Sequence, residues 1–252
     1  MCCFSQKVEA VKNTRIFARP SEKERQFIVY SMKLTAKEDV AMILPIPTPP
    51  KSAEDAVKFI SLKDYADFFD DLHKGFPVKP PPQPITKPGF GSASGGLAGD
   101  PLPVVDVGNF EASFVPTVDD FSRLDERFRL PEGTWGKLPG YKNFGFAVFK
   151  LKSGDKTIHP MAFEFPRAKA HEIFFPTVHI HDGEVHERAD YDHTLYLQPA
   201  HAHAMLSSYW TESAQPAGMF MDMKKSAGLF DAELHCYRRI IKETQKNRDI
   251  VV

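Results

Sequence analysis

The stretch from Phe76 to Pro103 constrains the fold of this chain more than any other feature. It reads FPVKPPPQPITKPGFGSASGGLAGDPLP, with eight prolines and five glycines among 28 residues. Proline cannot donate to a hydrogen-bond ladder, and glycine loses the most conformational freedom on ordering. The stretch therefore predicts a linker or long loop, 76–103, between an N-terminal β-hairpin and helix unit, 1–75, and a C-terminal unit, 104–252. We expect the two units to share one sheet or core.

The two halves of this stretch differ in stiffness. PVKPPPQP is expected to be extended and semi-rigid, and GFGSASGGLAG to be a flexible coil. A Pro-rich extended segment is also a candidate ligand for a protein partner, although the composition favours a plain spacer over this alternative.

Charge and hydropathy exclude several classes of partner. With 32 Lys and Arg against 33 Asp and Glu, the formal net charge is -1, so the chain lacks the excess of cations on which nucleic-acid affinity depends. The apolar run Val40–Ile46 is too short to span a bilayer, and the start MCCFSQKVEA has no hydrophobic signal core. The sequence contains three cysteines, too few for a disulfide framework. We expect a soluble, cytoplasmic protein with neither nucleic acid nor membrane as a partner.

An internal similarity predicts two related β units. The 21 residues from Phe27, FIVYSMKLTAKEDVAMILPIP, align without gaps to those from Phe146, FAVFKLKSGDKTIHPMAFEFP, with six identities. In each copy, alternating apolar residues flank a polar stretch, which is typical of a β-hairpin. A duplication and a chance match between β-forming residues both account for the similarity.

Two segments predict helices. SLKDYADFFDDLHKGF has a capping box at Ser61 and Asp64, and TVDDFSRLDERFRLP repeats the pattern at Thr117 and Asp120. Together with the alternating segments, they predict an α+β fold, mainly antiparallel β-sheet built from two similar hairpin units with a few covering helices.

Histidines concentrate near the C-terminal third of the chain. Seven of the ten histidines lie between His171 and His203. The dipeptide Asp182-Gly183 favours a two-residue hairpin turn, which would place His179 opposite His186 and His181 opposite Glu184. Alternation then sorts the side chains, with Val178, Ile180 and Val185 on one face and, on the other, His179, His181, Glu184 and His186.

This histidine face is a candidate site for a transition metal. Cross-strand neighbours lie about 5 Å apart, and neutral imidazoles are good ligands for Zn, Cu or Fe. The candidate ligands are His179, His181, Glu184, His186, His201 and His203. With an open coordination position, Glu184 or Glu187 is a candidate general base. The alternative is that the histidines form the solvated face of a hairpin and bind no metal.

The N-terminus offers a second candidate site. Removal of Met1 would expose Cys2 with a thiol nucleophile and an α-amino group that serves as its base. This is the arrangement of N-terminal-nucleophile hydrolases, and it requires a strand that begins at residue 2. Cys2 and Cys3 could instead bind a soft metal or form a small buried pair.

A family resemblance covers residues 1 to about 166. Its motifs are a VG-aromatic strand in VGNFEASFV, the short helix with Leu in TVDDFSRLDERF, Tyr141 before the strand GFAVFKL, and the strand PMAFEFP. TRIFA and AMILPIPTPP near the N-terminus add to it. These segments resemble a bacterial domain of unknown function, whose members are usually exported and often membrane-anchored. The resemblance implies a fold and no catalytic residue, and this chain lacks the signal segment of such members.

Three functions therefore stay open after the sequence alone. The first is an uncharacterised soluble protein that binds a transition metal through the His-rich segment. The second is a hydrolase with Cys2 as nucleophile, and the third is a non-catalytic interaction or scaffold protein that uses the Pro-rich stretch. Whether the protein is an enzyme is left undecided.

Overall fold

The computed structural model describes residues 2–77, 105–106, 110–130, 133–182, 184–199 and 209–252. Of the residues that the structure describes, 45% are in strands and 11% are helical, and the sheets are mixed. The expected α+β class is therefore wrong, because one of the two predicted helices is only seven residues long, the other is replaced by 3-10 turns, and the layers are built from sheet.

The strands and the α-helix follow one another along the chain with short connections in most places. Their bounds are β1 Cys2–Phe4, β2 Ala10–Ser21, β3 Arg25–Ala36, β4 Val40–Ile46, β5 Lys58–Ile60, α1 Phe68–Lys74, β6 Val105–Asp106, β7 Glu111–Val115, β8 Gly145–Leu151, β9 Gly154–Thr157, β10 Met161–Pro166, β11 Phe174–Phe175, β12 His179–Ile180, β13 Arg188–Leu197, β14 Thr211–Pro216, β15 His235–Lys246 and β16 Ile250–Val251. Short 3-10 turns occupy Asp119–Arg123, Glu126–Phe128, Trp135–Lys137, Pro139–Tyr141 and Ala217–Met219.

Two large sheets contain nearly all of these strands. The first sheet has the order β12-β1-β4-β8-β7-β6, and the second has the order β14-β15-β13-β2-β3-β10-β5, with β9 beside β3. Most neighbours are antiparallel, but β1 runs parallel to β12 and β2 runs parallel to β13. Strands from both sides of the Pro/Gly-rich stretch lie in each sheet.

The two similar segments do not form hairpins, so that prediction is wrong. In the first copy β3 belongs to the second sheet and β4 to the first, and in the second copy β8 and β10 are divided in the same way. The copies pair with each other instead, β3 with β10 and β4 with β8. β4 is buried along its whole length, which fits a strand covered on both faces, and its continuous apolar sequence lacks the alternation of a half-exposed hairpin arm.

Three apolar clusters stack across the two sheets. The inter-sheet core lies between them and includes Phe4, Tyr30, Phe149, Phe163 and Leu195. The first outer cluster covers the far face of the first sheet with the 3-10 turns, and its members include Cys3, Phe121, Phe146, Val178 and Ile180. The second outer cluster covers the second sheet with α1, and its members include Phe17, Phe68, Leu72, Tyr196 and Phe230.

The helical segments are shorter than the sequence predicted. α1 begins after Asp67, which makes no side-chain capping hydrogen bond, so Ser61 and Asp64 do not start it. The Thr117 hydroxyl donates to the Asp120 carboxylate at 2.8 Å, and two 3-10 turns follow. Within the described ranges, no helix has both the length and the apolar character needed to cross a membrane.

Candidate functional site

The histidine segment forms the edge of the first sheet beside the N-terminal strand. β12 runs parallel to β1, with Cys2 opposite His179 and Cys3 opposite Ile180. No ladder joins β12 to residues 184–187 in the described part of the chain, so the described residues on either side of Gly183 do not pair as the hairpin expected from Asp182-Gly183. The Asp182 carboxylate instead accepts the Glu184 backbone N–H at 3.0 Å, which closes a local turn.

Side chains near the C-terminus take the place of the missing partner strand. The Asn247 side-chain oxygen accepts the His179 N–H at 2.7 Å, and its amide group donates to the carbonyls of His179 at 2.9 Å and His186 at 3.0 Å. The Asp249 carboxylate accepts the N–H groups of Thr177 and Val178. These contacts satisfy backbone groups that a strand edge otherwise leaves unpaired.

A buried imidazole pair joins the two sheets. His179 points from β12 toward the second sheet, and His193 points from β13 toward the first, so that their Nε2 atoms are 3.2 Å apart. The two residues are 9% and 2% exposed. His181 lies beside them, with its ring 4.7 Å from that of His179, and its Nε2 is shielded from solvent without a hydrogen-bond partner among the described residues.

Burial keeps these imidazoles neutral at physiological pH. It lowers the pKa of His179 to about 3, and nearby His181 adds to the shift. Burial likewise lowers the pKa of His181 to about 4, against a smaller opposing effect of Asp182. The pKa of His193 is lowered for the same reason, with His179 the next contributor. In a neutral pair, one Nε2 carries the proton and donates it to the other.

The remaining candidate ligands lie apart from this pair. Glu184 pairs with Lys137 at 3.0 Å, and His186 pairs with Asp182 at 2.9 Å on the surface. His201 and His203 fall outside the described residues. Among the residues that the structure describes, no group of three or more His, Cys, Asp or Glu side chains is already arranged to hold a metal ion.

A cavity opens beside the histidines. It has a volume of about 270 Å³, and its lining includes His179, His181, His186 and Arg188. Asp182 and Asp190 also contribute to its wall. The cavity connects the buried imidazoles to the surface, so a small solute has a route to them.

Cys2 begins β1, as the nucleophile hypothesis requires. Its backbone pairs with His179 at the edge of the sheet. The next residue, Cys3, is buried in the first outer cluster. The cysteine segment and the histidine segment, which are far apart in sequence, are therefore neighbours in the fold.

His193 is absent from the set of candidate ligands predicted from the sequence. The missed signal is the alternation along β13, where Tyr191 and Leu195 face the inter-sheet core and His193 stands between them. Asn247 gave no comparable signal, because its role depends on a contact with a strand 68 residues away.

Comparisons with known proteins find similar solved structures but no matching family. No protein-family model matches it, and no curated protein matches it significantly. The crystal structure of baculovirus P35 is similar, with a TM-score of 0.47 and 13% identity over 96% of this chain and 95% of that chain. A mutated baculovirus P35 after caspase cleavage gives 0.46 and 12% over 95% and 99%. The caspase-8/P35 complex gives 0.45 and 13% over 95% of each chain. Membership of the bacterial family stays a prediction.

Proposed function

We propose that this chain functions by binding another protein and that Pro77–Pro84 is the contact segment. The observation that carries the proposal is the sequence PVKPPPQP, in which Pro77 and Pro80, and again Pro81 and Pro84, have the P-x-x-P spacing. Segments of this kind adopt the polyproline II helix and dock into aromatic-lined grooves. Because residues 78–104 lie outside the described residues, the structural support comes from the two ends of the stretch.

The near end is fixed to the outer layer of the second sheet. Phe76 is 3% exposed, its ring is 5.7 Å from that of Tyr196, and the Arg238 guanidinium lies 4.8 Å from the ring centre. The Gly75 carbonyl accepts the Ala214 N–H at 2.9 Å. The chain is therefore anchored immediately before the first proline of the segment.

The far end is fixed to the edge of the first sheet. Val105 in β6 pairs with Ala112 in β7. Phe110 is 7% exposed, and its ring is 6.4 Å from that of Phe149 in the inter-sheet core. Prolines restrict a segment before it binds, so less conformational freedom is lost on binding, and the anchor at Phe76 fixes the start of this segment, which favours affinity.

The cellular location is part of the same proposal. Cys236 is a buried free thiol, and an unpaired cysteine suits a reducing compartment. We therefore place the binding event in the cytoplasm.

A second candidate function is hydrolysis with Cys2 as nucleophile. The observation that favours it is that β1 begins at Cys2, so the residue occupies the start of a paired strand. The intact mass of the purified chain tests it first, because retention of Met1 blocks the α-amino group that would serve as the base. If Met1 is removed, labelling of Cys2 by a thiol reagent with and without Cys2→Ser measures its reactivity.

The test of the main proposal is a binding panel with the full chain. We would measure fluorescence anisotropy against purified SH3, WW and EVH1 domains, which represent the aromatic-lined grooves. Caspase-8 is included because one of the similar solved structures is its complex with P35; at a TM-score of 0.45 that likeness does not argue for the same partner.

Two matched variants test whether binding depends on the P-x-x-P segment itself or only on the proline content of the whole stretch. We expect Pro80→Ala/Pro81→Ala/Pro84→Ala to weaken binding by more than about tenfold, since it removes prolines that favour the polyproline II conformation and breaks both P-x-x-P pairs. Pro101→Ala/Pro103→Ala, in the same stretch, should bind as the wild type does. Absence of binding across the groove domains contradicts the Pro-rich contact. If caspase-8 binds and the first variant does not weaken that binding, the chain is a protein-binding protein but its contact lies outside Pro77–Pro84.

A further inference from the structure

The His179–His193 pair has the spacing of two ligands of one metal ion. Its Nε2 atoms are 3.2 Å apart. Two imidazole nitrogens on a tetrahedral zinc, each about 2.0 to 2.1 Å from the ion, are about 3.3 Å from each other. The backbone therefore holds both rings at a ligand spacing already, although the two residues belong to different sheets.

A third imidazole is available at the same place. The ring centre of His181 lies 4.7 Å from that of His179. Its Nε2 is shielded from solvent without a hydrogen-bond partner among the described residues, and buried polar atoms in native proteins are nearly always paired. In the described residues the three nitrogens do not converge, so His181 must turn about its side-chain torsions to complete a set of three.

The surroundings suit a metal more than a charged organic ligand. The pair is enclosed by aromatic rings, with Tyr191 4.6 Å from His179 and Phe4 5.6 Å from His181. The cavity of about 270 Å³ beside His179 and His181 supplies an entry route and room for a water ligand. Asp182 and Asp190 line that cavity and would attract a cation, although Arg188 also contributes to it.

We propose that His179 and His193 bind one divalent transition-metal ion of the zinc type, with His181 as third ligand and water completing the tetrahedron. Imidazole nitrogen is a preferred ligand of such ions. Since His179 is on β12 and His193 is on β13, the ion would fasten the edge of the first sheet to the second. The water would occupy an exchangeable position, unlike the closed set of four protein ligands in a purely structural zinc site, and the site is independent of the proposed protein-binding function. The set differs from the sequence prediction, because His193 replaces Glu184 and His186.

The test is zinc titration of the full chain, purified without a histidine tag and stripped with a chelator. Isothermal calorimetry should give one zinc per chain, and zinc should raise the unfolding temperature because it binds the folded state. We expect His179→Gln and His193→Gln each to weaken zinc binding by more than about tenfold, and His181→Gln to weaken it less. His186→Gln is the matched control, since its imidazole is exposed and pairs with Asp182, and it should leave the affinity unchanged.

A second measurement uses the wild type, in case the buried variants fail to fold. Co²⁺ in a tetrahedral site gives intense visible absorption, and NMR of the imidazole nitrogens identifies which rings the ion contacts. The proposal is overturned if the wild type takes up no zinc or cobalt. It is equally overturned if stoichiometric binding survives in His179→Gln/His193→Gln, or if His186→Gln abolishes it, because the site would then lie on the surface.

Discussion

His179 and His193 contact each other through their Nε2 atoms at 3.2 Å, across the space between the two sheets. β12 contains two residues and pairs with β1. The imidazole contact therefore links this short edge to β13 in the second sheet. One imidazole must donate this hydrogen bond and the other must accept it. Protonation of the accepting ring would therefore break the contact that links β12 to β13.

Lowering the pH should reduce the free energy of unfolding, because the folded protein keeps these buried histidines neutral. Burial lowers the pKa of His179 from 6.5 to about 3, so below pH 6.5 the unfolded chain binds a proton that the folded chain excludes. The contribution of His179 to the free energy of unfolding is therefore present above pH 6.5 and is lost progressively as the pH falls toward 3. Between pH 6.5 and about pH 5, His179 alone should lower the free energy of unfolding by about 2 kcal/mol.

Urea unfolding at the two pH values checks this expectation. The comparison that isolates the effect is between the wild type and His179→Gln, because carboxylates titrate in both. The variant should show a smaller loss of stability on acidification, and the exposed His186→Gln should show the same loss as the wild type. Equal losses in wild type and His179→Gln would contradict the assigned burial.

Asn247 should control the order of the histidine edge. Its side chain makes one hydrogen bond to the N–H of His179 and one to the carbonyl of the same residue. Asn247→Ala leaves these groups to find water, at a cost of about 1 to 3 kcal/mol in the free energy of unfolding. Hydrogen exchange of the His179 amide should accelerate at the same time.

The control for Asn247 is a neighbour with only local contacts. Gln245 is exposed, and its side chain donates to the carbonyl of Lys242 three residues away. Gln245→Ala should leave both the stability and the exchange of the His179 amide unchanged. If it accelerates exchange as much as Asn247→Ala does, the effect belongs to the whole C-terminal segment rather than to the Asn247 hydrogen bonds.

Strands were easier to predict from this sequence than their partners. Alternation of apolar residues located β3, β4, β8 and β10 closely, because side-chain period is a local property. It could not show that the polar residues 37–39 connect two different sheets rather than two arms of a hairpin. That choice depends on burial of both faces of β4, which is a property of the assembled layers.

The same contrast holds at the candidate site, where the local pattern was predicted and the contacts between distant residues were not. Alternation correctly placed Val178 and Ile180 on the face opposite His179. It predicted the wrong neighbour for that histidine, because Asp182-Gly183 suggested a local turn and the actual contact comes from His193 on another sheet. Asn247 occupies the edge where the predicted hairpin arm would lie.

Phe149 should be a major support of the inter-sheet core. It is 0% exposed, and its ring contacts those of Phe59 at 5.6 Å and Phe163 at 5.9 Å. Phe149→Ala leaves a cavity between the sheets and should lower the free energy of unfolding by about 3 to 5 kcal/mol. Ile240→Ala, at a side chain that is 53% exposed, should change it by less than about 0.5 kcal/mol. Urea denaturation of both variants measures the difference, and similar values would contradict the placement of Phe149.

Gly75 should not tolerate a side chain, for reasons of space rather than backbone conformation. Its φ of -62° is available to any residue, but a Cβ at this position would lie 2.6 Å from the ring of Phe220. Gly75→Ala therefore displaces Phe220 and should cost about 1 to 3 kcal/mol in the free energy of unfolding.

Gly136→Ala is the matched control for this prediction, because a Cβ at Gly136 meets nothing within 4 Å. By restricting the unfolded chain, this change should be neutral or should stabilise the fold by about 0.4 to 1 kcal/mol. The thermal unfolding temperatures of the two variants should therefore shift in opposite directions, or only that of Gly75→Ala should shift.

Because Gly75 precedes the Pro-rich stretch, Gly75→Ala should also loosen the near anchor at Phe76. Hydrogen exchange of the Ala214 amide, which donates to the Gly75 carbonyl, reports on that anchor; unchanged exchange together with unchanged stability would contradict the close packing of Gly75 against Phe220.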